Sequence, residues 1–374
     1  MGCNVPTQTR ITALNATCLL LFLLACSGTQ DSPPGEIRET ARDQTITVGK
    51  TVKEIDPRIW KIHQDRKGDY WFGSNGSGIY RYDGKKVTQF TKADGLCGDQ
   101  VRGIVEGADG RLFISTNGGV ALFDGKSLTA LEIVDMASDT EGWELNEEDV
   151  WIANLGNSGA LRFDGKKLHH LILPGLPAEQ VLSERRPNSD FLFFAVYRIF
   201  KDSRGHIWIG TSGSGLCRYD GKSVSWMHEP ALTTTPSGGS FGIRSIYEDK
   251  SGDFWICNTR QRFRMSPEIR VENGRKLIRF ETKAGLPNAQ LNEDKNFTYY
   301  HDIAEDKAGA LWFASGSDGI MKYDGTSVVK YPLPEGVYAL QIFLDQKGKL
   351  WLGTLEHGIF NFNGERFAPF KPHG

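Results

Sequence analysis

Six residues hold one register in successive copies of a repeated strand: Trp60, Arg102, Tyr197, Arg244, His301 and Leu340. Two residues further on, the copies read Ile62, Ile104, Ile199, Ile246, Ile303 and Ile342, as a core position would. A core register accepts isoleucine or valine in every copy, so arginine, tyrosine, histidine and tryptophan at the first register need another reason. Large aromatic and cationic groups converging on one axis suit a ligand with stacking faces and acceptor or anionic groups. Trp60, Arg102, Tyr197, Arg244 and His301 are therefore the candidate ligand-binding residues. The competing reading has the guanidinium groups satisfying carbonyls of long connecting loops, since most side-chain hydrogen bonds go to backbone or water.

Other chemistry is scarce. The sequence holds no G-x-S-x-G elbow, no H-E-x-x-H and no phosphate loop, so no catalytic residues are assigned and no cofactor is expected. His169 and His170 fall on an outer strand, where a solvated edge is expected. The glycine-rich GSNGSG and GTSGSG segments join two strands without opening a helix, and so read as turns. Cys97, Cys217 and Cys257 are widely spaced, with no Cys/His cluster for a metal, and are expected to be buried and unreactive. With 44 Lys+Arg against 46 Asp+Glu, a net charge of -2 excludes nucleic acid as a bulk electrostatic partner.

The elements that must position the ring can be read from repeats. Glycine is in excess, 43 of 374 residues, and aromatics are many, with 9 Trp, 11 Tyr and 21 Phe. Many turns with many aromatics point to short strands. An aromatic strand followed by a glycine-rich turn recurs seven times, at Trp71, Phe113, Trp151, Trp208, Trp255, Trp312 and Trp351. Seven tight-turn dipeptides follow: Asp83-Gly84, Asp124-Gly125, Asp164-Gly165, Asp220-Gly221, Asn273-Gly274, Asp324-Gly325 and Asn363-Gly364. These dipeptides suit a type I′ hairpin turn. Ahead of the aromatic strand stands D-x-x-G, at Asp65, Asp202, Asp249, Asp306 and Asp345. Each such turn offers one carboxylate, too few for calcium, and reads as a structural turn. The implied fold is all-β: a seven-bladed β-propeller of four-stranded antiparallel blades over residues 45–374, with the Trp/Phe row as packing.

Three places are irregular. In the third copy the inner strand falls at either 133–138 or 142–146, and the sequence leaves both open. The fifth copy has a longer hairpin, FRMSPEIRVENGRKLIRF. The last outer strand, ERFAPF, completes its own copy, so closure rests on face-to-face contact of first and last blades, with TITV at 45–48 as an aid.

The start of the chain reads as an address. Arg10 precedes a nine-residue apolar stretch, Cys18 to Cys26, too short for an ordinary membrane span. Leu23-Leu24-Ala25-Cys26 resembles the bacterial lipobox, implying a signal peptide at 1–25 and an acylated Cys26. A conventionally cleaved signal and an uncleaved anchor are the competing readings. Residues 26–44 form the acylated cysteine and a polar tether. Serine after the cysteine implies, by the same resemblance, an outer-membrane lipoprotein of the cell envelope, facing periplasm or cell surface.

Joined together, the markers resemble the two-component regulator propeller repeat. The segment VYRIFKDSRGHIWIGTSGSGLCRYDG at 196–221 carries the likeness most fully, and DGL at 94–96 and GLP at 175–177 and 285–287 repeat its glycine-leucine element. The resemblance implies an extracytoplasmic sensor that recognises carbohydrates or other external signals. No kinase, receiver, DNA-binding or membrane segment follows the propeller in this sequence, so signal relay by the usual route is not expected of it. The expected function is a non-catalytic, membrane-anchored module binding a small-molecule or oligosaccharide ligand or an envelope partner protein. A lyase resembling the streptogramin lyases, and a scaffold in an envelope complex, are the alternatives.

Overall fold

Four strands of the copy at 196–227 show how the sequence makes its sheets: Val196–Lys201, Ile207–Thr211, Leu216–Tyr219 and Val224–Met227 form an antiparallel meander. The second strand, IWIGT, is buried at every position because both of its faces pack on neighbouring sheets. An apolar run therefore replaces the alternation of a half-exposed strand. The structure is a computed structural model that describes residues 48–135, 145–153, 159–174, 195–234, 242–287 and 299–372. The expected signal peptide, Cys26 and tether lie outside the described residues.

The described residues form an all-β array with two short helical turns, Lys92–Asp94 and Pro230–Thr233. In the first sheet the inner strand is Ile59–Gln64, and an extra strand, Lys50–Val52, pairs with the outer edge at Val87–Phe90. Four-stranded sheets follow at 101–130, 302–331 and 339–369. The two copies between 196 and 283 merge into one eight-stranded sheet, because Trp226 pairs in parallel with Leu277 of the long hairpin Arg262–Glu272 and Arg275–Lys283. Inner strands of successive sheets lie side by side, and that of the last sheet lies beside that of the first. This is the radial arrangement of a propeller.

Closure works by faces. Gln341 Oε1 accepts from the Ile62 amide at 2.6 Å, the Gln346 amide donates to Gln64 Oε1 at 2.9 Å, and Tyr70 donates to Asp345 at 2.7 Å. The strand Lys50–Val52 pairs with the outer edge of the first sheet, and residues 45–47 of the expected aid TITV lie outside the described residues.

In the third sheet, Ile133–Asp135 is the outermost strand and runs parallel to Leu168–Leu171. The reading of 133–138 as the inner strand is therefore wrong at its described part, and residues 136–144 lie outside the described residues. This added strand also covers the edge where His169 and His170 were expected to face solvent. His170 is buried, and His169 Nε2 lies 2.6 Å from Asp164 Oδ2.

The D-x-x-G turn does more than turn. In each of the five copies one carboxylate oxygen takes backbone amides, as Asp306 Oδ1 does from Ala308 and Ala310. The other takes the indole N–H six residues on: Trp71 to Asp65, Trp208 to Asp202, Trp255 to Asp249, Trp312 to Asp306 and Trp351 to Asp345, all at 2.8–2.9 Å. The second copy has Gly107 in place of the aspartate and Phe113, which has no N–H, in place of the tryptophan. All seven aromatics of the row are buried, as expected of packing groups. Asp306→Ala orphans one indole and two amides, so a loss of about 2–3 kcal/mol is expected in denaturant unfolding.

The second turn departs from expectation. Only Asn273-Gly274 has positive φ at both residues, 50° and 76°, and joins Glu272 directly to Arg275. The other six close four-residue loops, as between Tyr323 and Val328. Asp324 Oδ1 accepts the amides of Thr326 and Ser327, which keeps aspartate at negative φ and leaves Gly325 alone at 96°.

Small residues in the aromatic strand have another cause. A Cβ on Gly210 would stand 2.5 Å from the Ile243 carbonyl oxygen of the next copy, and one on Gly353 would stand 2.8 Å from that of Ile59. Here the adjoining inner strand claims the space. Gly325→Val meets open space and only its φ is strained, an expected cost of about 1–2 kcal/mol. Gly210→Val meets backbone, and an expected loss of about 3 kcal/mol or more should appear as a much larger drop in midpoint.

Candidate ligand site

In four of its six strands the register that singled out the candidate residues is a β-bulge. Val196 opposes Thr211 while Arg198 opposes Gly210, leaving Tyr197 as the extra residue. The same shift leaves Trp60, Arg102 and Leu340 as extra residues in their strands. Arg244 and His301 precede the paired residues of theirs: the Arg244 amide donates to Cys257 Sγ, and the His301 amide to the Ala314 carbonyl at 2.7 Å. A bulge breaks the ladder and re-aims its side chain, a common device beside functional sites.

The re-aimed groups meet in pairs. The Arg102 guanidinium lies 4.8 Å from the centre of the Trp60 ring, and that of Arg244 lies 4.2 Å from the Tyr197 ring. Stacking fixes each guanidinium plane and turns its edge toward hydrogen-bonding groups, the Tyr299 hydroxyl in the case of Arg244. Arg102 Nη2 donates to Gln100 at 2.8 Å, so one edge contact serves a loop residue, but its side chain and not a carbonyl. Arg244 is exposed. His301 Nε2 lies 3.0 Å from the Tyr338 hydroxyl, and its ring packs edge-on to Tyr299 at 4.7 Å. Burial, reinforced by the charges of Arg244 and Lys61, pushes the His301 pKa down to about 3, so the ring is neutral at pH 7. Leu340 is half-buried and adds only an apolar surface.

One residue deeper, the strands carry a polar layer that the sequence reading passed over: Lys61, Arg198, Ser245, Asp302 and Gln341. Arg198 Nη1 stands 3.4 Å from Asp302 Oδ1. Burial raises the pKa of Asp302 against the opposing pull of Arg198 and Lys61. Trp60 Nε1, Arg198 Nε, Ser245 Oγ and Asp302 Oδ1 are buried without a hydrogen-bond partner. Such groups are costly to leave unmet, and a ligand's hydroxyl or charge can complete them. All six aligned copies are polar or glycine at this position, a signal present in the sequence. Strict alternation assigns it to the opposite face, and at Lys61, Arg198 and Gln341 a bulge directly precedes it.

Tyr299 and Tyr338 also belong to the site and were not foreseen, because they come from connecting segments outside the repeat register. Two clefts, of about 1200 and 500 Å³, open elsewhere, at the turn end of the strands. The larger is lined by Lys201, Arg204, His206 and Lys276, the smaller by Arg111, Asp149, Arg162 and His169. The polar groups of the smaller are consumed internally, Arg162 by Asp149 at 2.7 Å and His169 by Asp164. Among the described residues no group of three or more His, Cys, Asp or Glu could hold a metal ion. Nor is any described helix long and apolar enough to cross a membrane. Cys217 and Cys257 are buried with thiol pKa values raised by desolvation, whereas Cys97 is only half-buried.

Comparison with known proteins agrees with the repeat reading. Residues 195–213 match the family described as two component regulator propeller. No curated protein matches the chain in sequence. Among solved structures, the extracellular domain of the BT4673 system of B. thetaiotaomicron is similar at 20% identity and TM-score 0.53 over 84% of this chain. This chain spans 40% of that one's length. Virginiamycin B lyase from Staphylococcus aureus, solved with quinupristin, is similar at 16% identity and TM-score 0.57, covering 83% of this chain and 97% of the lyase. PorZ, a surface component of the type-IX secretion system of Porphyromonas gingivalis, gives 16% identity and TM-score 0.54 over 83% of this chain and 47% of its own. At these identities the likeness is one of fold: the chain is a β-propeller.

Proposed function

We propose that this chain, with its two-component regulator propeller repeat, is a non-catalytic ligand-binding module of the bacterial cell envelope. Seven four-stranded blades over 45–374 close around the bulge ring. A signal peptide at 1–25 is removed, and acylated Cys26 with the tether to residue 44 holds the propeller at the outer membrane. The ligand is a small molecule or oligosaccharide that seats on Trp60, Arg102, Tyr197, Arg244 and His301. The observation that carries this reading is the shared register, bulged at Trp60, Arg102 and Tyr197, whose side chains meet in cation–π and aromatic pairs. Stacking rings beside unmet donors and acceptors are what saccharide recognition requires. A melting-temperature screen of the purified chain against a glycan panel tests it. Stabilisation by at least one saccharide is expected, and a flat response to all of them counts against the reading.

The lyase reading keeps one support, the 97% of a lyase's length that this chain covers. It predicts that a streptogramin B depsipeptide is linearised on incubation with the chain. Elimination opens the ring without a change of mass, so chromatographic retention is the readout, and the binding reading predicts unchanged retention.

A further inference from the structure

We propose that the polar layer beneath the ring holds an acid group, so that the ligand is a saccharide bearing carboxylate or sulfate. This rests on the ring being the ligand site. Among the described residues, four cations converge there, Lys61, Arg198, Arg102 and Arg244, and the layer supplies one carboxylate, Asp302. Asp302 is 4% exposed and stands 3.4 Å from Arg198, so its charge is committed to that guanidinium. The Lys61 ammonium has neither ion pair nor hydrogen bond among the described residues. Gln341, the neighbour across the closure, spends its amide on the Ile62 backbone.

An unpaired ammonium among three arginines is an electrostatic cost that an anion relieves. The crowding is visible in the titration of Lys61, pushed down to about 8. Desolvation is the first cause, Asp302 opposes it, and Arg198, Arg244 and Arg102 add to it. His301, the other titratable group facing Lys61, is neutral and adds no charge at pH 7. The rings of Trp60, Tyr197, Tyr299 and Tyr338 stand at the same mouth, and flat aromatic faces suit a pyranose better than a bare inorganic anion.

Calorimetry with tetragalacturonate, a heparin-derived disaccharide and neutral cello- and maltotetraose, on wild type, Lys61→Met and Asp302→Asn, tests the proposal. One acidic probe is expected to bind at least tenfold more tightly than either neutral one. Carboxylate and sulfate are separated by which acidic probe does so. Lys61→Met should erase most of that preference, and Asp302→Asn, which removes the competing carboxylate, should increase it. Wild-type affinity for the acidic probe should fall about tenfold or more from pH 7 to 9.5, as Lys61 loses its proton. Circular dichroism establishes that the variants fold; if Lys61→Met does not, the Asp302→Asn and pH results decide. Neutral probes that bind as tightly as acidic ones overturn this inference alone. Failure of every saccharide overturns it together with the proposed function.

Discussion

Arg102→Ala and Arg244→Ala are each expected to abolish the ligand-induced thermal shift, a loss of affinity of about a hundredfold or more. Each truncation removes a charge-assisted donor and the plate stacked on Trp60 or Tyr197, so two contributions disappear at once. Hot-spot arginines beside aromatics commonly cost about 2 kcal/mol or more when truncated, and two decades of affinity is about 2.7 kcal/mol. The unliganded protein should barely notice. Arg244 is exposed, and among the described residues the side chain of Arg102 donates to Gln100. Melting temperatures without ligand should stay within a few degrees, as about 1 kcal/mol allows in a domain of this size. Survival of binding in both variants, or collapse of both folds, would make the ring structural.

The second large effect concerns the membrane. Cys26→Ala is expected to move the chain from the membrane fraction to the soluble fraction and to abolish palmitate incorporation. Acyl anchoring accounts for stable attachment only through chains carried on that cysteine. Within the described residues no helix offers an alternative span. Equal labelling of wild type and variant would refute lipidation at Cys26.

Much of the fold could be read from the sequence because each strand is bounded by residues whose chemistry is local. Asp306 and Gly309, or Asp324 and Gly325, announce a turn whichever sheet they serve. Trp312 marks a strand buried on both faces. Features that depend on a partner strand were out of reach. The type I′ expectation failed at six dipeptides because the aspartate carboxylate, or at Asn363 the side-chain amide oxygen, takes two amides ahead and sets a four-residue loop. The parallel strand at Ile133–Asp135 and the bridge between Trp226 and Leu277 have no local signature, since each is defined by what lies across it.

The site shows the same division. Trp60, Arg102, Tyr197, Arg244 and His301 stood out because a repeat exposes a register that breaks its own pattern. Lys61 and Arg198 did not, because alternation places neighbouring residues on opposite faces and a bulge cancels that rule. Tyr299 and Tyr338 lie in connections of unequal length, where no register exists to compare.

Hydroxyl-radical footprinting of the chain with and without a stabilising saccharide tests the central claim most directly, because aromatic side chains report their own exposure. Protection is expected at Trp60, Tyr197, Tyr299 and Tyr338, with Phe163 and His169 in the smaller cleft and His206 in the larger one unchanged. Protection confined to those clefts, with the ring aromatics unaffected, would contradict a ligand site on the bulge ring.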